Sequence, residues 1–440
     1  MTVASHLAPS EVIPNIQKFT IGDGFPIVFD FAKSHGAWIH DALTGEEFLD
    51  FYTFFASLPL GFHHPAFHEE KNLAKLRAAA FHKPANSDSN SRELASFVEV
   101  FADQAVPAPF RHLFFIEGGA LAVENALKTA FDWKVRRNLA AGRGELGSRI
   151  LHFRQAFHGR SGYTLSLTNT LPVKIAYFPK FDWPRVDNPK IHFPLDDGEV
   201  ARVARREERT LDEIDAAFAR YPDDIAAIII EPIQGEGGDN HFRAQFLQRL
   251  RDVCDEKDAL LIFDEVQTGF GLTGKMWAFE HFGVTPDIVC FGKKAQVCGI
   301  MAGPRIDAVE DNVFKVSSRL NSTWGGNLVD MCRCEIILRV LSDEKLVAHA
   351  AEAGTRLVAG LEGLARSYPG DVTNVRGRGL MCAFDCSDTA SRDALLKRAW
   401  DRRLLVLASG ERSIRFRPAL NVQPKEIDEG LHRLEEAVDA

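Results

Sequence analysis

The stretch Ala259-Leu260-Leu261-Ile262-Phe263-Asp264-Glu265-Val266-Gln267-Thr268-Gly269, followed by Asp287-Ile288-Val289-Cys290-Phe291-Gly292-Lys293-Lys294, decides the fold. Each half is a short apolar run rich in branched and aromatic residues, stopped by glycine or by charge. Such runs read as buried parallel strands, because a strand covered on both faces drops the alternation of apolar and polar residues. The two polar ends, Asp264 and Lys293, should then fall at the carboxyl edge of one sheet. Open α/β sheets bind ligands along that edge. Taken singly, Asp264 also reads as a helix cap and Lys293 as a solvated loop lysine.

Working outward, strand and helix patterns alternate from about residue 66 to 325, with strands expected at 113–116, 149–153, 225–230, 260–263 and 288–291. Alternation of this kind predicts a parallel sheet covered by helices. Residues 1–65 read as an N-terminal arm with a short hairpin, 36–41 and 45–51 flanking a turn. After about 330 comes a long amphipathic stretch, 331–364, then short strands at 379–384, 404–407 and 413–416 and a closing helix, 427–438. These elements make a small α+β unit. A chain of 440 residues is long for one core, which agrees with a large domain plus accessory parts.

Composition excludes several classes. With 45% hydrophobic and 26% charged residues the chain has the balance of an ordinary globular protein. A net charge of −9 gives no electrostatic case for nucleic acid or an anionic membrane, so any phosphate must be held by local dipoles and a few donors. No apolar run is long enough to span a bilayer and the N-terminus lacks a basic start, so the expected location is cytoplasmic. The seven cysteines are odd in number and mostly embedded in apolar runs, which reads as free thiols. Cys332-x-Cys334 and Cys382-x3-Cys386 lack partners at metal-ligand spacing, and no metal is expected.

A carboxylate and a lysine at one sheet edge are what pyridoxal 5'-phosphate (PLP) chemistry requires: the acid keeps the pyridine nitrogen protonated, and the amine holds the aldehyde and then moves protons. The run from Phe263 to Lys294 resembles the core signature of class III (ω-amino acid) aminotransferases, PLP enzymes of fold type I. In that family the pyridine-binding Asp precedes the Schiff-base Lys by 29 positions, and 293 − 264 = 29. On the resemblance alone, Lys293 is the catalytic residue and its neighbour Lys294 is not. The resemblance covers essentially the whole order of elements. It implies a large domain (66–330) with a mostly parallel seven-stranded sheet covered by helices, and a small α+β domain built from both chain ends, 1–65 and 331–440.

Further residues follow from the same resemblance. Glycines after the strand 113–116 open a strong helix pattern at Glu117-Gly118-Gly119-Ala120-Leu121-Ala122, a turn through which backbone can approach an anion. The family's usual form there is Ser-Gly-Thr/Ala-Glu-Ala; here the hydroxyl and carboxyl are missing, so the amides of Gly119 and Ala120 must carry more of the phosphate grip. Phe157-His158-Gly159-Arg160 matches the stretch whose aromatic stacks on the pyridine, which assigns Phe157 and His158 to the cofactor. Gln267 matches the residue near the ring hydroxyl, and Glu265 is expected to orient other groups rather than act as a base. Asn321-Ser322-Thr323 resembles the segment that a second chain lends to the site, with Thr323 on the phosphate. A homodimer with a shared active site is thereby implied.

A transaminase of ω-amines must accept an amine whose carboxylate is remote and a diacid with one carboxylate beside the reacting carbon. Two cation sites are needed, and one must be neutralised for the first substrate, because an unpaired buried guanidinium is costly. Arg160 matches the remote site, Arg415 the near one and Glu236 its masking carboxylate, with Asn321 also assigned to substrate; Arg417 reads as a surface ion-pairing residue. Within the family the chain looks most like the enzymes that act on the terminal amine of L-lysine. The implied partners are L-lysine, 2-oxoglutarate and L-glutamate. Enzymes acting on 4-aminobutyrate or another ω-amino acid are the nearest alternative, and an aminomutase or decarboxylase on the same Asp-Lys core is a weaker one.

Overall fold

Branched and aromatic runs become strands, and the computed structural model, which describes residues 7–440, contains sixteen of them among those residues. The first six residues of the expected arm lie outside the described residues. In chain order the strands are β1 (Trp38–His40), β2 (Glu47–Asp50), β3 (His112–Ile116), β4 (Arg149–Phe153), β5 (Arg185–Val186), β6 (Ile225–Ile230), β7 (Ile233–Gln234), β8 (Asn240–His241), β9 (Leu260–Asp264), β10 (Ile288–Phe291), β11 (Cys298–Ala302), β12 (Thr373–Arg378), β13 (Met381–Asp385), β14 (Leu404–Leu405), β15 (Leu407–Ser409) and β16 (Ser413–Phe416).

Seven strands form the main sheet in the order β3-β11-β10-β9-β6-β4-β5. Only β11 runs against its neighbours. The rest are parallel, so their carboxyl ends share one edge. Successive residues of the central strands enter two different cores: Ile228, Ile230, Leu261, Phe263, Val289 and Phe291 pack on one face, while Ala227, Ile229, Leu260, Ile262, Ile288 and Cys290 pack on the other. Burial on both faces is the reason these strands read as unbroken apolar runs.

The five expected large-domain strands are all present within one residue of their expected ends, β3 starting at His112 and β9 extended to Asp264. Strand β11 was not among the expected strands, and β5 and β12 carry no apolar run. The expected amphipathic stretch 331–364 is two helices, Leu328–Asp343 and Leu346–Ser367, separated at Lys345, whose φ of +54° is left-handed. The expected strand 404–407 divides at Val406: β14 joins β2 in parallel, and β15 pairs with β16. Leu404 lies opposite Leu49, so the chain's two ends share the sheet β1-β2-β14. The seven cysteines are free and buried. No helix among the described residues is long and apolar enough to cross a membrane.

The helix Leu346–Ser367 lies close against the turn between β12 and β13. A Cβ on Gly354 would come within 2.0 Å of the Gly379 carbonyl oxygen, and Gly379 itself needs a φ of +51°. Gly354→Ala should therefore force the helix off the turn and destabilise the protein by about 1–3 kcal/mol. Urea denaturation would measure it; an unchanged midpoint would mean that the helix and turn separate freely.

Candidate active site

The carboxyl edge of the main sheet opens into a cavity of about 1070 Å³. Asp264 ends β9 and Lys293 follows β10 after Gly292, and the parallel register sets Asp264 opposite Cys290, three residues before Lys293. Both line the cavity, with Gly119, Ala120, Phe157, His158, Arg160, Glu236, Gln267 and Arg415. Ten of the twelve residues singled out in the sequence are thus brought together. Asn321 and Thr323 are not. They are exposed on a loop that rests on another segment of the chain, where the Ser87 hydroxyl donates to the Thr323 carbonyl at 3.2 Å.

Asp264 is buried and oriented on both oxygens. Its Oδ2 accepts from His158 Nδ1 at 2.8 Å and its Oδ1 from the Val266 amide at 3.1 Å. A carboxylate oxygen has two lone pairs, so one further donor can still be taken on each. His158 acts through Asp264, and its Nε2 is buried without a partner. Glu231, next after β6, accepts the Phe157 amide at 2.9 Å on one oxygen and the Gly235 amide at 2.9 Å on the other. Burial raises its pKa to about 7, with Asp264 adding to the rise.

The two adjacent lysines have unlike surroundings. Lys294 Nζ donates to the carbonyls of Gln267 at 2.9 Å and Ala56 at 3.2 Å, which fixes it outside the cavity. Ala56 closes a turn in which Thr53, Phe54, Phe55 and Ala56 all have φ between +43° and +66°. Such backbone costs roughly 1–2 kcal/mol per non-glycine residue. The turn is held by the Thr53 hydroxyl on the Arg417 carbonyl at 2.5 Å, by the Thr53 amide on Asp50 at 2.7 Å and by Lys294, and it presents Phe55 to the cavity. Lys293 Nζ, in contrast, makes no hydrogen bond or ion pair among the described residues and lies 5.9 Å from the Phe55 ring centre. Burial, then the nearby Arg415 charge, lower its pKa from 10.5 to about 8, while Asp264 opposes the shift. An amine so shifted is nucleophilic near neutral pH.

Opposite the lysine, the helix Gly119–Ala140 points its N-terminus at the cavity with no side chain capping it and no acid in its first turn. Gly118 takes a φ of +95°, and a Cβ there would meet nothing within 4 Å, so the backbone leaves a cradle at the positive end of a long helix. Phe157, half-buried, offers an aromatic face beside it.

The arginines differ from expectation. Arg417 is not a surface residue: it is 1% exposed and paired with the equally buried Asp239. Gln267 Oε1 accepts from Arg417 Nε at 3.2 Å, Arg417 Nη2 at 3.0 Å and Arg415 Nη1 at 3.4 Å, so it is engaged by guanidinium groups rather than pointed at a ring. Glu236 does not mask Arg415; its Oε1 is taken by Lys174 Nζ and by the Thr170 hydroxyl at 3.1 Å. A lysine at hydrogen-bond range and a hydroxyl outcompete a more distant guanidinium for one oxygen. Arg160 lines the cavity, exposed and without a partner among the described residues. Glu265 accepts from Thr268 Oγ1 and from the amides of Ala278 and Phe279 at 2.7–2.8 Å, holding a loop in the interior. Lys174, Glu231 and Phe55 escaped the sequence reading. Glu231 had a signal, a charge ending the unbroken apolar run of β6; Lys174, at the end of a three-residue 3₁₀ turn, had none.

Comparison with known proteins places the chain in a family. A family model described as aminotransferase class-III matches residues 22–438. The chain belongs to the class III aminotransferases, and its fold is that of the fold type I enzymes. It is 52% identical over 436 residues to the L-lysine-epsilon aminotransferase of Mycobacterium tuberculosis, covering 98% of this chain and 96% of that one. The solved structure of the M. tuberculosis lysine aminotransferase in its internal aldimine form superposes with a TM-score of 0.97 at 51% identity, over 98% of this chain and 99% of that one. The 4-aminobutyrate aminotransferase of Dictyostelium discoideum is 32% identical over 429 residues, covering 93% and 84%.

If Lys293 is the reactive amine, borohydride treatment with PLP should fix the label on Lys293, and the rate of attachment should rise with pH through about 8, where the neutral amine becomes the major form. Lys293→Ala should abolish the label and Lys294→Ala should keep it. Peptide mapping that finds the label on Lys294 would overturn the assignment.

Proposed function

We propose that this chain is a PLP enzyme that moves the terminal amine of L-lysine to 2-oxoglutarate. The products are 2-aminoadipate 6-semialdehyde, which cyclises to piperideine-6-carboxylate, and L-glutamate. One observation carries the reading: an unpaired amine, Lys293, and an oriented carboxylate, Asp264, line one cavity with Arg415, in a chain 52% identical over nearly its full length to a protein named L-lysine-epsilon aminotransferase. The lower identity to a 4-aminobutyrate aminotransferase, 32%, makes that amine the control substrate.

The residues fit the cofactor. Gly119 and Ala120 would hold the phosphate through backbone amides, with Thr323 of a second copy adding a hydroxyl in a dimer; Phe157 would cover the ring, and Asp264 would hold its nitrogen. When bound, PLP supplies an aldehyde that condenses with amines and a ring that takes up electrons from the reacting carbon. Lys293 Nζ would anchor that aldehyde and is the amine placed to move a proton at the substrate's amine-bearing carbon. Asp264, braced by His158, would keep a proton on the ring nitrogen through a charge-assisted hydrogen bond.

Substrate choice falls to the cations. Lysine's carboxylate lies two carbons farther from its reacting carbon than the distal carboxylate of glutamate, so a long, exposed side chain such as Arg160 suits both. Arg415, buried near Lys293, suits the carboxylate next to a keto group and has no counterpart on lysine's reacting end. The reading includes a cytoplasmic homodimer with the domain division at about residues 65 and 330.

A half-reaction panel with lysine, ornithine and 4-aminobutyrate, followed by absorbance of the cofactor, tests the donor; lysine should react fastest. Arg415→Ala should slow the 2-oxoglutarate half-reaction roughly 30- to several-thousand-fold, the counterpart of about 2–5 kcal/mol for a lost buried charge pair. Lysine deamination should change far less. Equal losses in the two halves would mean that Arg415 only supports structure and would overturn the two-substrate reading.

A further inference from the structure

Three arginines line the cavity, and they are neutralised unequally. Arg392 is paired with Asp393 at 2.7 Å. Arg160 is exposed to solvent. Among the described residues Arg415, 5% exposed, carries no carboxylate partner; its Nε is buried with no hydrogen bond, and its one side-chain hydrogen bond is a 3.4 Å bond to a Gln267 oxygen already shared with Arg417. A buried guanidinium left this way is costly unless an anion comes to it. Within the cavity, Glu236 is close enough for its charge to act on Arg415.

Glu236 is held elsewhere by one short segment. Thr170 and Lys174, at the two ends of the turn that contains the 3₁₀ helix Pro172–Lys174, both donate to Glu236 Oε1. Lys174 Nζ also lies 5.5 Å from the centre of the Phe157 ring, so its ammonium is steadied by an aromatic face on one side and the carboxylate on the other. Lys174 and Glu236 are both half-buried, where a charge pair is screened less than on the open surface.

We propose that Lys174 is a positioning residue that keeps the Glu236 carboxylate away from Arg415, leaving Arg415 ready for the carboxylate beside the keto carbon of a 2-oxo diacid. Lys174 thereby tilts the site toward its acceptor substrate. The inference rests on the transaminase reading above and deepens it by naming the residue that sets the balance between the two substrates. Removing the ammonium frees Glu236 Oε1, and Arg415, on which the Glu236 charge already acts, lines the same cavity. An acceptor must then displace an internal rival.

The test uses the holoenzyme and two readouts. Glutarate, an unreactive diacid with the carbon chain of 2-oxoglutarate, is titrated calorimetrically, and single-turnover rates are measured for the lysine and 2-oxoglutarate half-reactions. Lys174→Met should bind glutarate about tenfold more weakly and should lower the 2-oxoglutarate rate at subsaturating concentration about tenfold relative to the lysine rate. Lys174→Arg should restore both, and so should Lys174→Met combined with Glu236→Gln, which removes the rival carboxylate. Glutarate affinity in Lys174→Met equal to that of the unaltered protein would overturn the inference. So would equal losses in both half-reactions, or no recovery in the double variant. Failure of the unaltered protein to consume 2-oxoglutarate would instead overturn the transaminase reading, and this inference with it.

Discussion

Everything at this site depends on the register of one parallel strand pair. With Cys290 opposite Asp264, the carboxylate that ends β9 and the lysine that follows β10 come to adjacent positions on the sheet edge, although 29 residues separate them in sequence (293 − 264 = 29). A slip of one residue would turn every side chain of a strand to the other face. Here both faces are apolar and covered, so exchanging faces would not by itself bury a charge along the strand. What fixes the register is the fit of particular volumes in two cores at once, Leu261 and Phe263 in one and Leu260 and Ile262 in the other. The polar ends then sit where the cores stop.

Around that pair the protein separates two amines that sequence makes neighbours. A left-handed residue at Lys293, φ +49°, turns the backbone so that successive side chains leave in different directions. Lys293 enters the cavity with no acceptor, and burial and Arg415 shift it toward the neutral form. Lys294 spends its hydrogens on two backbone carbonyls. One lysine is reactive because nothing satisfies it, and the other is structural because two groups do.

Legibility in the sequence followed the physics of each feature. Strands buried on both faces announce themselves as apolar runs, and β4, β6 and β10 lie at their expected bounds. Strand β11 escaped because its run, Cys298-Gly299-Ile300-Met301-Ala302, is short and broken by a glycine. The break at Lys345 escaped because no glycine or proline marks it; a lysine adopts the left-handed turn there. Among site residues, those at strand ends were legible, since the edge of a parallel sheet is a known place for ligands. Ion pairing was not. Whether Glu236 meets Arg415 or Lys174 is decided by where a short 3₁₀ turn places one ammonium, and Arg417, read as a surface residue, is buried against Asp239 with its carbonyl held by Thr53. Spacing carries no information on such choices.

The left-handed turn Thr53–Ala56 ties the first sixth of the chain to nearly the last of it. Thr53 bonds the carbonyl of Arg417, 364 residues away, and β2 has no parallel partner until β14 exists. At about 5–20 residues per second, synthesis leaves roughly 20–70 s between the two ends of that contact. During this interval the hairpin stands with an open edge, and the turn that presents Phe55 has lost one of its three fastenings. The wall of the cavity is therefore translated early and completed late. A polypeptide still on the ribosome can assemble the sheet that carries Asp264 and Lys293 well before it has a closed chamber in which to use them.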